Sequence, residues 1–227
     1  MGVTENNHKN QSIVLLLLYV FVLFLVWTIY EMFIRINLHS ESTLLNIIIR
    51  NSIKIIVWTV PVLILLKYYY KDSVISYLKL NCNVINGVVW GSIIGLLIVM
   101  YNITWHYIFG TGKFSFNFGL YRWIHHIILI GFTEEIVFRG FLLQKVKELT
   151  GFWLANIISS VLFLLIHFPR WYKDGLLLGG FFNLLSAIVF AIAFSLLQGY
   201  TLKRTKSLWS CMLTHSITNF ICIAMVS

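Results

Sequence analysis

The stretch IVLLLLYVFVLFLVWTIYEMFI, from Ile13 to Ile34, decides the kind of fold that this chain adopts. A helix needs about 20 mostly apolar residues to cross the hydrocarbon core of a bilayer. This run meets that length, and Glu31 is its only charged residue. It is longer than a signal-peptide core and lacks a small-residue cleavage site, so it predicts a retained transmembrane helix.

The composition extends this prediction to the whole chain of 227 residues. Hydrophobic residues make up 59% and charged residues 11%, whereas soluble domains average about 45–50% and about 25%. One globule of this size could not hide so many apolar side chains from water, so lipid must surround much of the chain. The length suits a single membrane domain over residues 1–227.

Seven apolar stretches predict the membrane-spanning helices. They are 13–34, 44–66, 84–109, 122–146, 152–168, 176–200 and 208–226. Pro169 is expected to end the fifth, and Gly175, Gly179 and Gly180 predict a break at the start of the sixth. We therefore expect an all-α, polytopic membrane protein, a bundle of about seven or eight transmembrane helices around an intramembrane polar cavity.

The formal net charge of +9 does not indicate a nucleic-acid partner. The cations lie mainly in short loops between apolar runs, and no basic stripe interleaved with exposed aromatic residues is present. By the positive-inside rule, the N-terminus and the 67–83, 145–151 and 201–207 loops face the cytoplasm. These features predict a multi-pass protein of the cell membrane whose surroundings are the lipid bilayer.

Two carboxylates and an arginine interrupt the fourth apolar stretch, in the segment GFTEEIVFRG at 131–140. One charge at mid-helix costs about 2.5–3.5 kcal/mol on insertion scales, so three of them call for an explanation. Glu135 and Arg139 are four residues apart and can pair on one helix face. Glu134 has no partner on its own helix, and a buried carboxylate without a counter-ion suits a general base. An exchange of rotamers would swap the two carboxylates' roles.

Further polar residues lie in two later apolar stretches. His167 follows Phe163 by four residues, and His215 precedes Asn219 by four, so each pair shares a helix face. Neutral histidine and asparagine both donate and accept hydrogen bonds. Together with Glu134, these side chains are enough to activate a water molecule and to stabilise an oxyanion.

The three segments resemble the CPBP family, the CAAX protease and bacteriocin-processing (Abi) proteins. The resemblance is carried by Glu-Glu-x-x-x-Arg (Glu134, Glu135, Arg139), Phe-x-x-x-His (Phe163, His167) and His-x-x-x-Asn (His215, Asn219), with the context GYTLKRTKSLWSCMLTH at 199–215. Each motif alone is common by chance, but all three in order within membrane helices are specific. The resemblance covers 120–226, a family-like catalytic core.

The resemblance implies an intramembrane endopeptidase of the glutamic type, similar to CAAX prenyl endopeptidases. Glu134, aided by His167, would activate a water molecule, and His215 and Asn219 would stabilise the oxyanion. The residues that would hold the shape of the site are Glu135, Arg139 and Phe163. No metal or other cofactor is expected, the substrate would be a membrane-associated or prenylated protein or peptide, and the cavity would open to the cytoplasm.

Two other functions fit the same polar residues. Two carboxylates and two histidines could bind zinc, but their spacings match no common zinc signature. A non-enzymatic protein, such as a proton-coupled transporter or a bacteriocin-immunity protein, would also use buried glutamate and histidine. The paired broken helices of transporters are not evident. Glu31 matches no motif, and we expect it at the interface or in ordinary core hydrogen bonds. We expect His125 and His126, which precede the motif, at the interface.

Overall fold

The computed structural model describes residues 2–35, 44–109, 113–116, 119 and 123–226, most of them helical. In the first half, helix α1 (Gly2–Ile29) continues as a π-helical turn, Tyr30–Ile34. A second rod joins α2 (Leu44–Lys54), a π-helical turn (Ile55–Thr59), α3 (Val60–Ile64) and another π-helical turn (Leu65–Tyr69). The short α4 (Val74–Tyr77) and the long α5 (Val84–Phe109) follow.

The second half contains a continuous rod over 123–150 that we name the Glu134 helix. It joins π-helical Trp123–Ile130, α6 (Gly131–Glu135), π-helical Ile136–Leu142 and α7 (Leu143–Thr150). The remaining helices are α8 (Phe152–Leu165), α9 (Phe168–Lys173), α10 (Phe181–Thr205) and α11 (Leu208–Ala224). Two residues of β1 (Lys113–Phe114) pair antiparallel with two of β2 (Met225–Val226).

Within the described part of the chain, five helices are long and apolar enough to cross a membrane. They are Asn10–Ile34, Leu45–Tyr69, Val84–Trp105, Phe152–Lys173 and Phe181–Thr205. Helix α11 is a shorter apolar helix, and the Glu134 helix carries the two carboxylates and the arginine. The prediction of an all-α, polytopic membrane protein is confirmed.

The structure moves two of the predicted helix boundaries. Helix α8 already ends at Leu165, and Pro169 lies in the first turn of α9, where a proline needs no backbone N–H partner. The prediction that Pro169 ends the fifth stretch is therefore wrong. The glycine-rich segment lies outside α10, with positive φ of 78° at Gly175 and 107° at Gly180, and the helix begins only at Phe181.

The three cation-bearing loops predicted to share one side of the membrane do lie together. The Tyr77 hydroxyl donates a 2.7 Å hydrogen bond to Glu148, which joins the 67–83 segment to the end of α7. The Asn83 amide donates to the carbonyl of Thr205 at 3.1 Å, which joins the same segment to the end of α10. We name this end of the bundle the cation-rich end.

At the opposite end of the bundle, charged side chains join the ends of two helices. Arg35, at the end of the first rod, donates to Glu31 at 3.1 Å and also pairs with Asp174, just after α9. Glu31 is buried and bonded to Arg35, so of its two expected environments the core hydrogen bond is confirmed and the interface is not. We name this the Arg35 end.

Helices α5 and α11 pack closely because α5 presents glycine at every fourth position. Gly87, Gly91 and Gly95 face α11, the small-residue spacing that lets membrane helices approach each other. A Cβ on Gly91 would lie 2.7 Å from the backbone oxygen of Ser210. The Thr214 hydroxyl also donates to the Gly91 carbonyl at 3.0 Å. Helix α11 carries His215, so this contact sets the position of that histidine.

We expect Gly91→Val to push α11 away from α5. Overpacking of a tight contact costs about 1–3 kcal/mol of stability, and the displacement of His215 should also reduce any activity of the site. The midpoint of thermal unfolding in detergent measures the first effect. Leu97→Val on the exposed face of the same helix is the control, and equal melting of both variants would contradict the role of Gly91.

Candidate active site

Glu134 lies in α6 with 5% of its surface exposed. Its Oε1 accepts a 2.7 Å hydrogen bond from Nζ of Lys54, at the end of α2. The expectation that Glu134 lacks a counter-ion is therefore wrong. Spacing along the sequence reveals partners only on the same helix, whereas this partner comes from another helix.

The second oxygen of Glu134 faces two imidazoles. Oε2 lies 4.0 Å from Nε2 of His167 and 3.9 Å from Nε2 of His215. Both distances exceed hydrogen-bond length, and Oε2 is buried with no hydrogen-bond partner among the described residues. The structure thus brings together three of the predicted catalytic side chains, from the Glu134 helix, from the end of α8 and from α11.

The hydrogen bonds of the two histidines determine which ring nitrogen faces Glu134 as an acceptor. Nδ1 of His167 lies 2.7 Å from the carbonyl of Phe163, and a carbonyl can only accept, so this Nδ1 carries the hydrogen. Nδ1 of His215 lies 2.7 Å from the carboxylate Oε1 of Glu135, with the same consequence. In the neutral rings, both Nε2 atoms therefore direct a lone pair toward the region beside Glu134.

Glu135 and Arg139 form the predicted ion pair within one helix. Nη1 of Arg139 donates to Oε1 of Glu135 at 2.8 Å, and both side chains are buried. Because the same Oε1 contacts His215, Glu135 links the arginine to the imidazole. The Arg139 guanidinium stacks over the Phe163 ring at 4.4 Å, and that ring lies 4.8 Å from the ring of His167. Their role in holding the shape of the site stays a prediction.

Asn219 lies apart from the three converging side chains. Its Nδ2 donates a 2.8 Å hydrogen bond to the carbonyl of His126 and so ties α11 to the start of the Glu134 helix. No described contact joins Asn219 to Glu134, His167 or His215. Its assignment to the oxyanion stays a prediction.

His125 is not the interfacial residue that the sequence suggested. It is buried, and its Nδ1 lies 2.6 Å from Oδ1 of Asn51 on α2. His125 also lines a small cavity of about 30 Å³ beside Lys54, together with charged residues of the Arg35 end. The Glu134 helix is buried within the bundle at this point. The apolar residues on either side of His125 in the sequence do not reveal this.

This small cavity lies toward the Arg35 end of the bundle. Its charged lining includes Arg35 and Arg170, which belong to that end. Glu134, His167 and His215 are not among its lining residues, so the predicted opening of the site to the cytoplasm stays a prediction.

Lys54 is the site residue that the sequence analysis missed. It is buried, and its ammonium lies 4.2 Å from the ring centroid of Trp58 and 4.9 Å from that of Trp27. The signal was a lysine within the second apolar stretch.

Metal binding was the alternative chemistry for these residues. Across the described residues, no group of three or more histidine, cysteine, aspartate or glutamate side chains has the arrangement of a metal site. Glu134, His167 and His215 are the side chains that would have to move together to bind zinc. The expectation of no metal stays a prediction.

Comparison with known proteins supports the resemblance seen in the motifs. Neither the curated proteins nor the solved structures include a match to this chain. A protein family does match, and this match supports a membrane protease of the CAAX type in general. Residues 115–221, which contain all three motifs, match the family described as type II CAAX prenyl endopeptidase Rce1-like, and the family recognised from the sequence is thereby confirmed for this segment.

Proposed function

We propose that this protein hydrolyses a peptide bond of a membrane-associated protein or peptide with a water molecule activated by Glu134. The observation that carries the proposal is the arrangement around Oε2 of Glu134, which is buried, accepts no described hydrogen bond and faces Nε2 of both histidines. Separations near 4 Å between such acceptors are readily bridged by one water molecule.

In the first step, the water oxygen attacks the carbonyl carbon of the scissile peptide while its proton moves to Oε2 of Glu134. The carbonyl π electrons move onto the oxygen and form the oxyanion of a tetrahedral intermediate. When the carbon–nitrogen bond breaks, Glu134 returns the proton to the departing amine. The carboxylate is regenerated, and the products are a carboxylic acid and an amine.

The two histidines have different surroundings and therefore different proposed roles. His167 donates Nδ1–H to a backbone carbonyl, so its Nε2 accepts a hydrogen bond from the attacking water and orients it. His215 donates Nδ1–H to Glu135, and a carboxylate in this position stabilises an imidazolium. In the imidazolium form, whose extra proton comes from bulk water before the reaction and is not consumed in it, His215 donates Nε2–H to the oxyanion. From the family resemblance we assign the second oxyanion donor to Asn219, whose amide has one N–H besides the one given to His126.

The experiment that tests this function is proteolysis by the purified protein in lipid vesicles. The peptides would be prenylated and unmodified membrane peptides of the same sequence, and the variant would be His167→Ala. Cleavage that survives a strong chelator and is lost in His167→Ala supports a glutamate-activated water. Cleavage that the chelator abolishes and zinc restores would replace this mechanism with a metal-dependent one.

We propose that the protein lies in the cell membrane with its N-terminus and cation-rich end in the cytoplasm. Support comes from the cationic loops that the structure gathers at one end. In a background without the native cysteines, a membrane-impermeant maleimide added to intact cells should label Lys173→Cys but not Lys147→Cys, both at exposed positions. The reverse labelling would invert the orientation, and the cavity beside Lys54 would then face the cytoplasm.

A further inference from the structure

We propose that Lys54 is a positioning residue for Glu134, supplied by a helix outside the family-matched segment. The inference rests on the proposed hydrolysis and adds a residue to it. Lys54 ends α2, whereas the match to the family begins at residue 115. The N-terminal half of the chain therefore contributes a side chain to the site.

Lys54 contacts one of the two carboxylate oxygens of Glu134. Its ammonium lies 2.7 Å from Oε1, while Oε2 faces the imidazoles of His167 and His215. A carboxylate that is free to rotate would present either oxygen, or neither, to the histidines. Because Lys54 retains Oε1, Oε2 stays directed at the position where the water must lose its proton.

The charge of Lys54 has a second effect on Glu134. An isolated carboxylate in an apolar interior takes up a proton rather than remain charged, and a protonated carboxyl cannot act as a base. Lys54 is 4% exposed and pairs with no other described carboxylate, so its charge compensates that of Glu134 directly. The ring faces of Trp27 and Trp58 hold the ammonium in place.

A purely structural ion pair would show the same contact, so the test must separate positioning from folding. We choose Lys54→Met, which keeps the length of the side chain and removes the charge, and Lys54→Arg, which keeps the charge. Lys67→Met is the matched control, because Lys67 lies on the same rod and is exposed. All variants would be assayed in lipid vesicles with a peptide that the wild-type protein cleaves.

We expect Lys54→Met to lower kcat about 100-fold and to change KM by less than about threefold, as for a misplaced catalytic group. Lys54→Arg should recover at least about a tenth of wild-type kcat, because it keeps the charge. Lys67→Met should match the wild type. If Lys54→Met retains kcat within about threefold of the wild type, the positioning role is wrong.

Chemical modification keeps the inference testable if Lys54→Met folds poorly. Lys54→Cys treated with 2-bromoethylamine gains an S-aminoethyl side chain that is nearly isosteric with lysine. Activity that rises at least about tenfold on treatment, while treated wild type with its native Cys82, Cys211 and Cys222 is unchanged, supports the inference. No rise in protein shown by mass spectrometry to carry the modification at position 54 would overturn it.

The outcomes also separate this inference from the proposed function. If the wild type cleaves the peptide, His167→Ala does not and Lys54→Met does, only the role of Lys54 fails. If His167→Ala cleaves as fast as the wild type, the proposed mechanism fails and the positioning role fails with it.

Discussion

Replacement of Glu134 by glutamine should abolish peptide hydrolysis, with a fall of at least about 1,000-fold in kcat. A general base contributes about 100- to 10,000-fold to such reactions, and here the carboxylate is the group that faces both histidines. Glutamine has the same shape and can still accept a hydrogen bond from Lys54, but its amide cannot take a proton from water. Because the variant also leaves the buried charge of Lys54 uncompensated and so costs stability, the comparison must be made on folded protein.

The matched control is Glu148→Gln on the same helix. Glu148 is exposed at the cation-rich end, where it accepts a hydrogen bond from Tyr77, and its replacement should leave kcat within about threefold of the wild type. Both proteins should be compared in lipid vesicles at equal amounts of folded protein. If Glu134→Gln keeps more than about a tenth of wild-type kcat, Glu134 is not the base.

Removal of the Arg139 guanidinium should have the largest effect on stability. Arg139 is 1% exposed and Glu135 is fully buried, so Arg139→Met leaves a buried carboxylate with only His215 as a partner. Removal of one member of a buried pair costs about 3–5 kcal/mol. The stacking of the guanidinium on Phe163 would be lost as well.

The double variant Glu135→Gln with Arg139→Met separates charge from shape. It removes both charges, so it should unfold closer to the wild-type temperature than Arg139→Met does. The midpoint of thermal unfolding in a mild detergent measures both variants. A double variant that is no more stable than the single one would show that the ion pair matters through its volume and stacking, not through its charge.

The prediction of the membrane fold and of the ion pair succeeded because both depend on local regularities. An apolar run of spanning length can be recognised without knowing which other helices it packs against. The pair of Glu135 and Arg139 follows from the rise of one helix, which brings residues four apart together. The convergence of Glu134, His167 and His215 could be suspected only from the combination of three motifs.

The partner of Glu134 could not be predicted because it depends on packing between helices. Lys54 is 80 residues away along the chain, and no periodicity relates the two positions. The same cause explains His125, whose contact with Asn51 connects the Glu134 helix to α2. The prediction that Pro169 ends a helix was wrong for a different reason. Proline is tolerated in the first turn of a helix as well as after the end of the preceding one.

The packing of α5 against α11 has a consequence for how this protein can be divided. A fragment that holds only residues 115–226 carries all three motifs and the whole family match. It lacks α5, however, and Gly91 of α5 fixes the position of α11, which carries His215. The proposed hydrolytic site is therefore not a separate module joined to a membrane anchor. Both halves of the chain contribute to this site. Separately expressed halves should therefore be active only after they reassociate in the bilayer.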